Sequence, residues 1–322
     1  MSLKKIAKIA ANIRNNPYII EKQEINPIVQ YIDKNSFKST KIFRDIGEDS
    51  AAIDDDEKLI LITTDRIRTS FIENFPFGAG FSSILVSVDD IYACGGIPLA
   101  ASIIISVKDP KTCNELLKGI CEGSRKFQIP IIRGHTNVNS KCYELSTTMI
   151  GEIKKEDYIS AGNAQIDDKI ILAVDFDGKV GKASNLYYDT TTFKDSEIVL
   201  KKRRAMNVVA STHLANASKD VSNGGIFGTL IQLIKYSNVG ADVNINRIIL
   251  PPILSESEYD LNTYVKMYLT TSFILTAPEN NCEKIFDIFR EYGLDAQVIG
   301  EIIAQNKLKI NDGNDSVDVI RF

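Results

Sequence analysis

The stretch IGEDSAAIDDDEKLILITTD, Ile46 to Asp65, decides the fold because it reads as a β-hairpin with acids at both ends. SAAI and LILITT are short apolar runs of strand character, and the acidic DDDEK between them has the composition of a turn. A turn over Asp54–Glu57 folds Asp49 back towards the Ile62–Asp65 end of its partner strand. Two carboxylates brought that close repel unless a cation or a proton lies between them. Magnesium takes hard oxygen ligands of this kind and shares them with phosphate groups. The other reading of the same residues is structural, with Asp49 capping a turn and Asp65 ending a strand. The tip acids Asp54, Asp55, Asp56 and Glu57 read as solvated surface.

Working outward, the chain has 322 residues, enough for two domains. Its 44% hydrophobic and 25% charged content is that of a globular protein. A net charge of −4 argues against nucleic acid or an anionic membrane as partner. The five cysteines form no C-x-x-C pair and read as reduced, mostly buried thiols. The N-terminal MSLKKIAKIAANIRNN has helical spacing at Leu3, Ile6, Ile9, Ala10 and Ile13 rather than a signal peptide's apolar run. IPLAASIIISV is too short to span a bilayer, so the expectation is a soluble, cytoplasmic protein.

The order of elements is mixed. After the hairpin, Ile84, Leu85, Val88, Ile91 and Tyr92 recur with a helical period, and GGIP stops that helix. A strand over LAASIIISV, a helix over Cys113–Phe127 and strands over IPIIRG and YELSTTMIGEI follow. The polar KKEDYISAGNAQIDDK, Lys154 to Lys169, marks a boundary, giving domains 1–157 and 158–322. The second half carries strands IILAVDF, ADVNI, SFILTA and AQVIGEI with helices over Ile226–Tyr236 and CEKIFDIFREYG. The fold class is therefore α/β, or α+β.

Four further motifs carry polar groups. In SVDDIYACGGIP, Asp89 and Asp90 lie towards the end of an apolar helix, where the helix dipole disfavours negative charge. Their side chains diverge by about 100°, so at most one faces a given site; the alternative is a solvated pair. In IIRGHTNVN, a strand ending at Gly134 places His135 and Asn137 just beyond its carboxyl end. In KDVSNGGIFGTL, Gly224 and Gly225 open a helix whose amides could approach an anion, with Asp220 nearby. LKKRRAM, Leu200 to Met206, reads as a solvated helix face, with an interdomain or phosphate-facing role as the alternative.

Taken in order, GEDSAAI, TTD after a strand, VDDIYACGGIP, IIRGHT and DVSNGGIFGTL resemble the aminoimidazole ribonucleotide (AIR) synthetase superfamily, from about Gly47 to Glu301. That superfamily includes thiamine-monophosphate kinase, selenophosphate synthetase, a hydrogenase-maturation protein and formylglycinamide ribonucleotide amidotransferase. The resemblance implies a two-domain α/β fold and a homodimer whose N-terminal domains pair their sheets into a barrel. It implies ATP as cofactor, its phosphates bridged by Mg2+ to Asp49, Asp65, Asp90 and, from the second domain, Asp220. Gly47, Gly134, Asn137 and Gly224 would line the nucleotide or substrate, and His135 and Asp220 would act in catalysis.

Several positions depart from the family's usual pattern. GED stands for GDD, VDD for VND, and RGHT for the kinase's GGDT-like motif, while Asn223 replaces a second acid. An early cysteine beside lysine, expected of selenophosphate synthetase, is missing, as is the hydrogenase-maturation protein's terminal cysteine. The chain is most similar to the less characterised AIR synthetase-related members, which carry GHT. The expected function is a Mg-dependent, ATP-utilising enzyme, a phosphotransferase or ligase, that phosphorylates or activates a small molecule. Thiamine-monophosphate kinase and a non-catalytic nucleotide-binding regulator are the alternatives.

Overall fold

The computed structural model describes residues 3–257 and 259–322. Residues 1, 2 and 258, which the expected halves include, lie outside the described residues. The first half is built on a six-stranded sheet in the order Ile42–Arg44, Ala51–Asp55, Lys58–Arg66, Glu144–Lys154, Ile97–Ser106, Ile131–Asn137. Neighbours run antiparallel except the last pair, which is parallel. The hairpin register pairs Ala51 with Ile62 and Asp55 with Lys58, so its turn is Asp56–Glu57, tighter than the sequence indicates. Asp54 lies in the strand, half-buried and paired with Lys155, not at a solvated tip.

Two long helices, Pro76–Ala93 and Pro110–Phe127, cover one face of this sheet. Helix Pro76–Ala93 is apolar nearly all round because it is buried nearly all round, from Ala79 to Ala93. Its end is fixed by Gly95, whose positive φ of 81° lets the chain turn back towards the strand Ile97–Ser106. The other face of the sheet is open: Ile97, Ile104 and Ile150 are exposed there. The edge strand Ile131–Asn137 is exposed along its whole length.

The second half holds a seven-stranded sheet, ordered Ala217–Asp220, Phe273–Ala277, Lys169–Val174, Asp295–Ile303, Gly240–Asn244, Lys307–Asn311, Ser316–Arg321. Its third strand, Lys169–Val174, reads as a continuous apolar run because both faces are buried. Ile171 and Ala173 join the core that includes helices Ser196–Ser211 and Glu279–Glu291, while Ile170, Leu172 and Val174 join the core beneath helix Gly225–Tyr236. The first of these cores runs on without a break into the first half, through Ile84, Val88 and Met206. The fold is thus a mixed α/β structure in two parts, and the first sheet is not a closed barrel within one chain.

Two placements were not legible from chain order. Helix Leu3–Arg14 packs on the second sheet: Ile6, Ile9, Ala10 and Ile13 enter its core, and Arg14 donates to the Val319 carbonyl at 2.7 Å. The basic run is not a solvated face, because Lys202 and Arg203 are buried. Arg203 Nε donates to Asp89 at 2.7 Å across the two halves, and its guanidinium lies 4.9 Å from the Phe127 ring. The cysteines are all free, but only Cys94 and Cys282 are buried; Cys113 is half-buried, and Cys121 and Cys142 are exposed. Among the described residues no helix is long and apolar enough to cross a membrane.

Arg203→Ala leaves Asp89 buried without its counter-charge and should cost about 3–5 kcal/mol in urea unfolding. Replacing both partners, as Asp89→Leu with Arg203→Met, should recover most of that loss. Asp109, which accepts from the Thr112 amide at 2.9 Å, caps helix Pro110–Phe127 and is held down to about 2, from 3.8, by that bond and the Tyr143 hydroxyl. Its contribution is full above pH 3.8 and lost as pH falls through about 2. Asp109→Ala should therefore flatten the acid limb of the stability curve in that window.

Candidate functional site

Each acid reaches the site from a different element. Asp49 precedes strand Ala51–Asp55, Asp65 lies near the end of Lys58–Arg66, Asp90 is in the last turn of Pro76–Ala93, and Asp220 ends Ala217–Asp220. They line a cleft of about 650 Å³ between the two halves. One carboxylate oxygen from each of Asp49, Asp90 and Asp220 lies within 4.8 Å of the others. Asp65 stands beside this triad and accepts from Ser87 Oγ at 2.7 Å. Thr63 Oγ1 donates to Asp90 at 2.5 Å, and the Asp220 amide donates to Asp49 at 3.1 Å.

So many acids in one half-dry volume oppose one another's ionisation. Burial first, then the charges of Asp65, Asp220 and Asp49, push the Asp90 carboxyl well up. Burial and Asp49 do the same to Asp220, and burial raises Asp65. Two ammonium groups offset the charge. Lys219 pairs with Asp49; burial works against its charge, but Asp49 and the other acids outweigh it and raise its pKa. Lys22 enters from helix Pro17–Glu24, donating to Gln232 Oε1 at 2.8 Å, and burial, then Lys219, lowers it to about 8.

Adjacent acids in the helix part as their spacing requires. Asp90 faces the cleft, while Asp89 is 3% exposed and belongs to Arg203, so the pair is not solvated. Glu48 borders the cleft, but its carboxylate is occupied by Ser160 Oγ at 2.5 Å and the Ala161 amide at 2.7 Å. Gly47 and Gly224 line the cleft as well. Gly134, His135 and Asn137 do not: the strand continues through all three instead of ending at Gly134, and they lie on the exposed edge of the first sheet. His135 sits opposite Ile104, on the open face. Lys22 and Lys219 received no role from the sequence. Lys219 stands inside the KDVSNGG motif, but Lys22 carries no motif signal, since only folding brings its helix to the cleft.

The chain matches the models for AIR synthase related protein, N-terminal domain over residues 47–153, and C-terminal domain over residues 169–313. It is 38% identical to an uncharacterised protein of Methanocaldococcus jannaschii, over 100% of this chain and 98% of that one. Thiamine-monophosphate kinase of Buchnera aphidicola subsp. Acyrthosiphon pisum is 26% identical, over 87% of this chain and 90% of that one. Among solved structures, PurL of Thermotoga maritima complexed with ATP superposes with a TM-score of 0.70 at 14% identity, over 83% of this chain and 45% of PurL. The chain thus spans about half the length of the PurL chain it matches. AaThiL complexed with AMPPCP and TMP gives a TM-score of 0.66 at 18% identity, over 90% of this chain and 94% of that one. At these identities the solved structures share the fold with this chain. The chain belongs to the AIR synthase related family.

Gly47 holds the loop that delivers Asp49, with φ +100° and its α-carbon against Tyr236. A Cβ there would run into the Tyr236 ring in a backbone region that disfavours side chains. Gly47→Ala should destabilise the protein by about 1–3 kcal/mol in urea titrations.

Proposed function

We propose that this protein is a magnesium-dependent, ATP-using enzyme that phosphorylates or activates a small molecule. The observation that carries this reading is the convergence of Asp49, Asp90 and Asp220 oxygens within 4.8 Å in an interdomain cleft. The donor set is all carboxylate oxygen, which suits magnesium and not a soft metal. The Lys219 ammonium paired with Asp49 supports this reading only in that positive charge is favoured beside these acids. Asp49, Asp90 and Asp220 would hold the ion, with Asp65 beside them. When bound, magnesium supplies positive charge for the phosphate oxygens of the nucleotide. Phosphoryl transfer depends mainly on positioning and charge neutralisation, so a site of acids and ammonium groups without a covalent nucleophile is chemically sufficient.

The relatives support the same class. PurL is known in complex with ATP, and AaThiL with AMPPCP and TMP. The relationship to thiamine-monophosphate kinase is distant, 26% identity, and no contact in the cleft favours that acceptor, so the reading is held at the class of reaction. Gly134, His135 and Asn137 enter this reading only through a second copy. Pairing of two first-half sheets would cover Ile97, Ile104 and Ile150 and bring the exposed edge strand to a neighbour. His135 would then be a hydrogen-bonding or general-base group towards substrate.

Calorimetry with Mg–ATP tests the proposal. Wild type should bind, and Asp49→Asn and Asp220→Asn should each weaken binding by about tenfold or more, roughly 1.4 kcal/mol. No heat at millimolar Mg–ATP would overturn it. Binding without hydrolysis or transfer across a panel of small acceptors would instead identify a non-catalytic nucleotide binder.

A further inference from the structure

Lys22 brings an ammonium into the cleft, and among the described residues it forms no ion pair with a carboxylate. Its hydrogen bonds go to neutral groups, Gln232 Oε1 at 2.8 Å and Ser222 Oγ at 3.4 Å. Of the acids around it, Glu21, on the same helix, pairs with Arg68 and Asp49 pairs with Lys219, while Asp220 and Asp90 act on it by charge alone, without an ion pair. A half-buried cation with no ion pair loses hydration, and the charges of Asp220, Asp49 and Asp90 return less than burial and Lys219 remove, an arrangement that a protein keeps where a ligand completes it.

The position of Lys22 is built, not incidental. Helix Pro17–Glu24 starts at the Asn16 cap, whose side chain accepts from the Tyr18 amide at 3.0 Å. Arg68 lies 4.7 Å from the Tyr18 ring centre. Ile19 is 2% exposed and packs on the Gly224–Gly228 side of helix Gly225–Tyr236, where a Cβ at Gly224 would stand 3.4 Å from Ile19 Cγ1. This segment precedes residue 47, where the match to the family's N-terminal domain begins, and lies within the whole-chain match to the Methanocaldococcus jannaschii relative.

We propose that Lys22 is an anion-binding residue for the second substrate, holding the phosphate or carboxylate of the small molecule that is phosphorylated or activated. The proposal rests on the Mg–ATP reading above. An ammonium has three donors, and Gln232 and Ser222 take two, leaving one N–H for a ligand. Both partners belong to the second half, so Lys22 is held to that side of the cleft, which the first-half acids Asp49, Asp65 and Asp90 also line. Helix Gly225–Tyr236 opens beside it with no side-chain cap, and its first amides add positive potential to that side.

Inorganic phosphate and acetate, each titrated calorimetrically into the full chain with Mg–AMPPCP and into the chain alone, test the assignment. Wild type should bind at least one of the two anions, and which one distinguishes a phosphate-bearing from a carboxylate-bearing substrate. Lys22→Gln should weaken that binding by about tenfold, Lys22→Arg should restore it, and Lys22→Gln should keep Mg–AMPPCP affinity within about threefold of wild type. Binding of neither anion, or equal anion binding by wild type and Lys22→Gln, overturns the proposal. A matching loss of Mg–AMPPCP affinity also overturns it, by placing Lys22 on the nucleotide. Thermal unfolding supplies a readout that a structural strut would move the other way: Lys22→Met should raise the midpoint of the ligand-free protein, and a lowered midpoint overturns the proposal. A wild type that takes the anion but not Mg–AMPPCP sinks the nucleotide reading and leaves the anion site standing.

Discussion

The cleft depends on two neighbouring aspartates leaving one helix in different directions. Asp89 is clamped by Arg203 from the other half of the chain, at 2.7 Å and out of solvent. Asp90, one residue on, is thereby turned towards Asp49 and Asp220. The ion pair makes little sense as a stabiliser alone, since desolvating both charges consumes most of what their attraction returns. It does make sense as a register device. Asp89 fits only opposite Arg203, which fixes both the rotation of helix Pro76–Ala93 and its seat against helix Ser196–Ser211.

The same logic governs the acids themselves. Each of Asp65, Asp90 and Asp220 is pushed towards its protonated form, chiefly by burial and then by its acidic neighbours. A fold selected for stability alone would not gather them. Lys219 relieves Asp49 directly, whereas Lys22, lowered to about 8 by burial and then by Lys219, forms an ion pair with none of the four carboxylates. Site geometry is preserved at a cost that the continuous core, shared from Ile84 through Met206 to Phe289, is large enough to absorb.

Much of this was legible in the sequence because it depends on local pattern. The hairpin followed from alternating apolar residues around an acidic turn, the long helix from the spacing of Ile84, Leu85, Val88 and Ile91, and the buried strand from the unbroken run Ile170–Val174. What the sequence misjudged depends on partners far along the chain. Nothing local separates buried Arg203 from exposed Arg204 in KKRR; only the presence of Asp89, more than a hundred residues earlier, makes burial tolerable. Gly134 looked like a strand terminator, yet parallel pairing with Ile97–Ser106 carries the strand on through His135 to Asn137. Helix Leu3–Arg14 had the right amphipathic spacing, but its apolar stripe does not say which sheet it will cover.

The N-terminal segment ties these threads together. Its first helix is fastened to the last strand of the chain through Arg14, and its second to both walls of the cleft, through Arg68 on one side and Gln232 on the other. A segment anchored at so many points cannot swing freely as a lid without breaking the Ile19 packing and the Tyr18–Arg68 contact together. Its effect on the cleft is therefore that of a fixed wall: it adds a cation at a set place and narrows what can lie between that cation and the acids. In the proposed anion site, selectivity would come from preorganisation rather than from closure. The segment's distance in sequence from the acid motifs is no obstacle, because the first helix is carried by the same sheet that ends in Asp220.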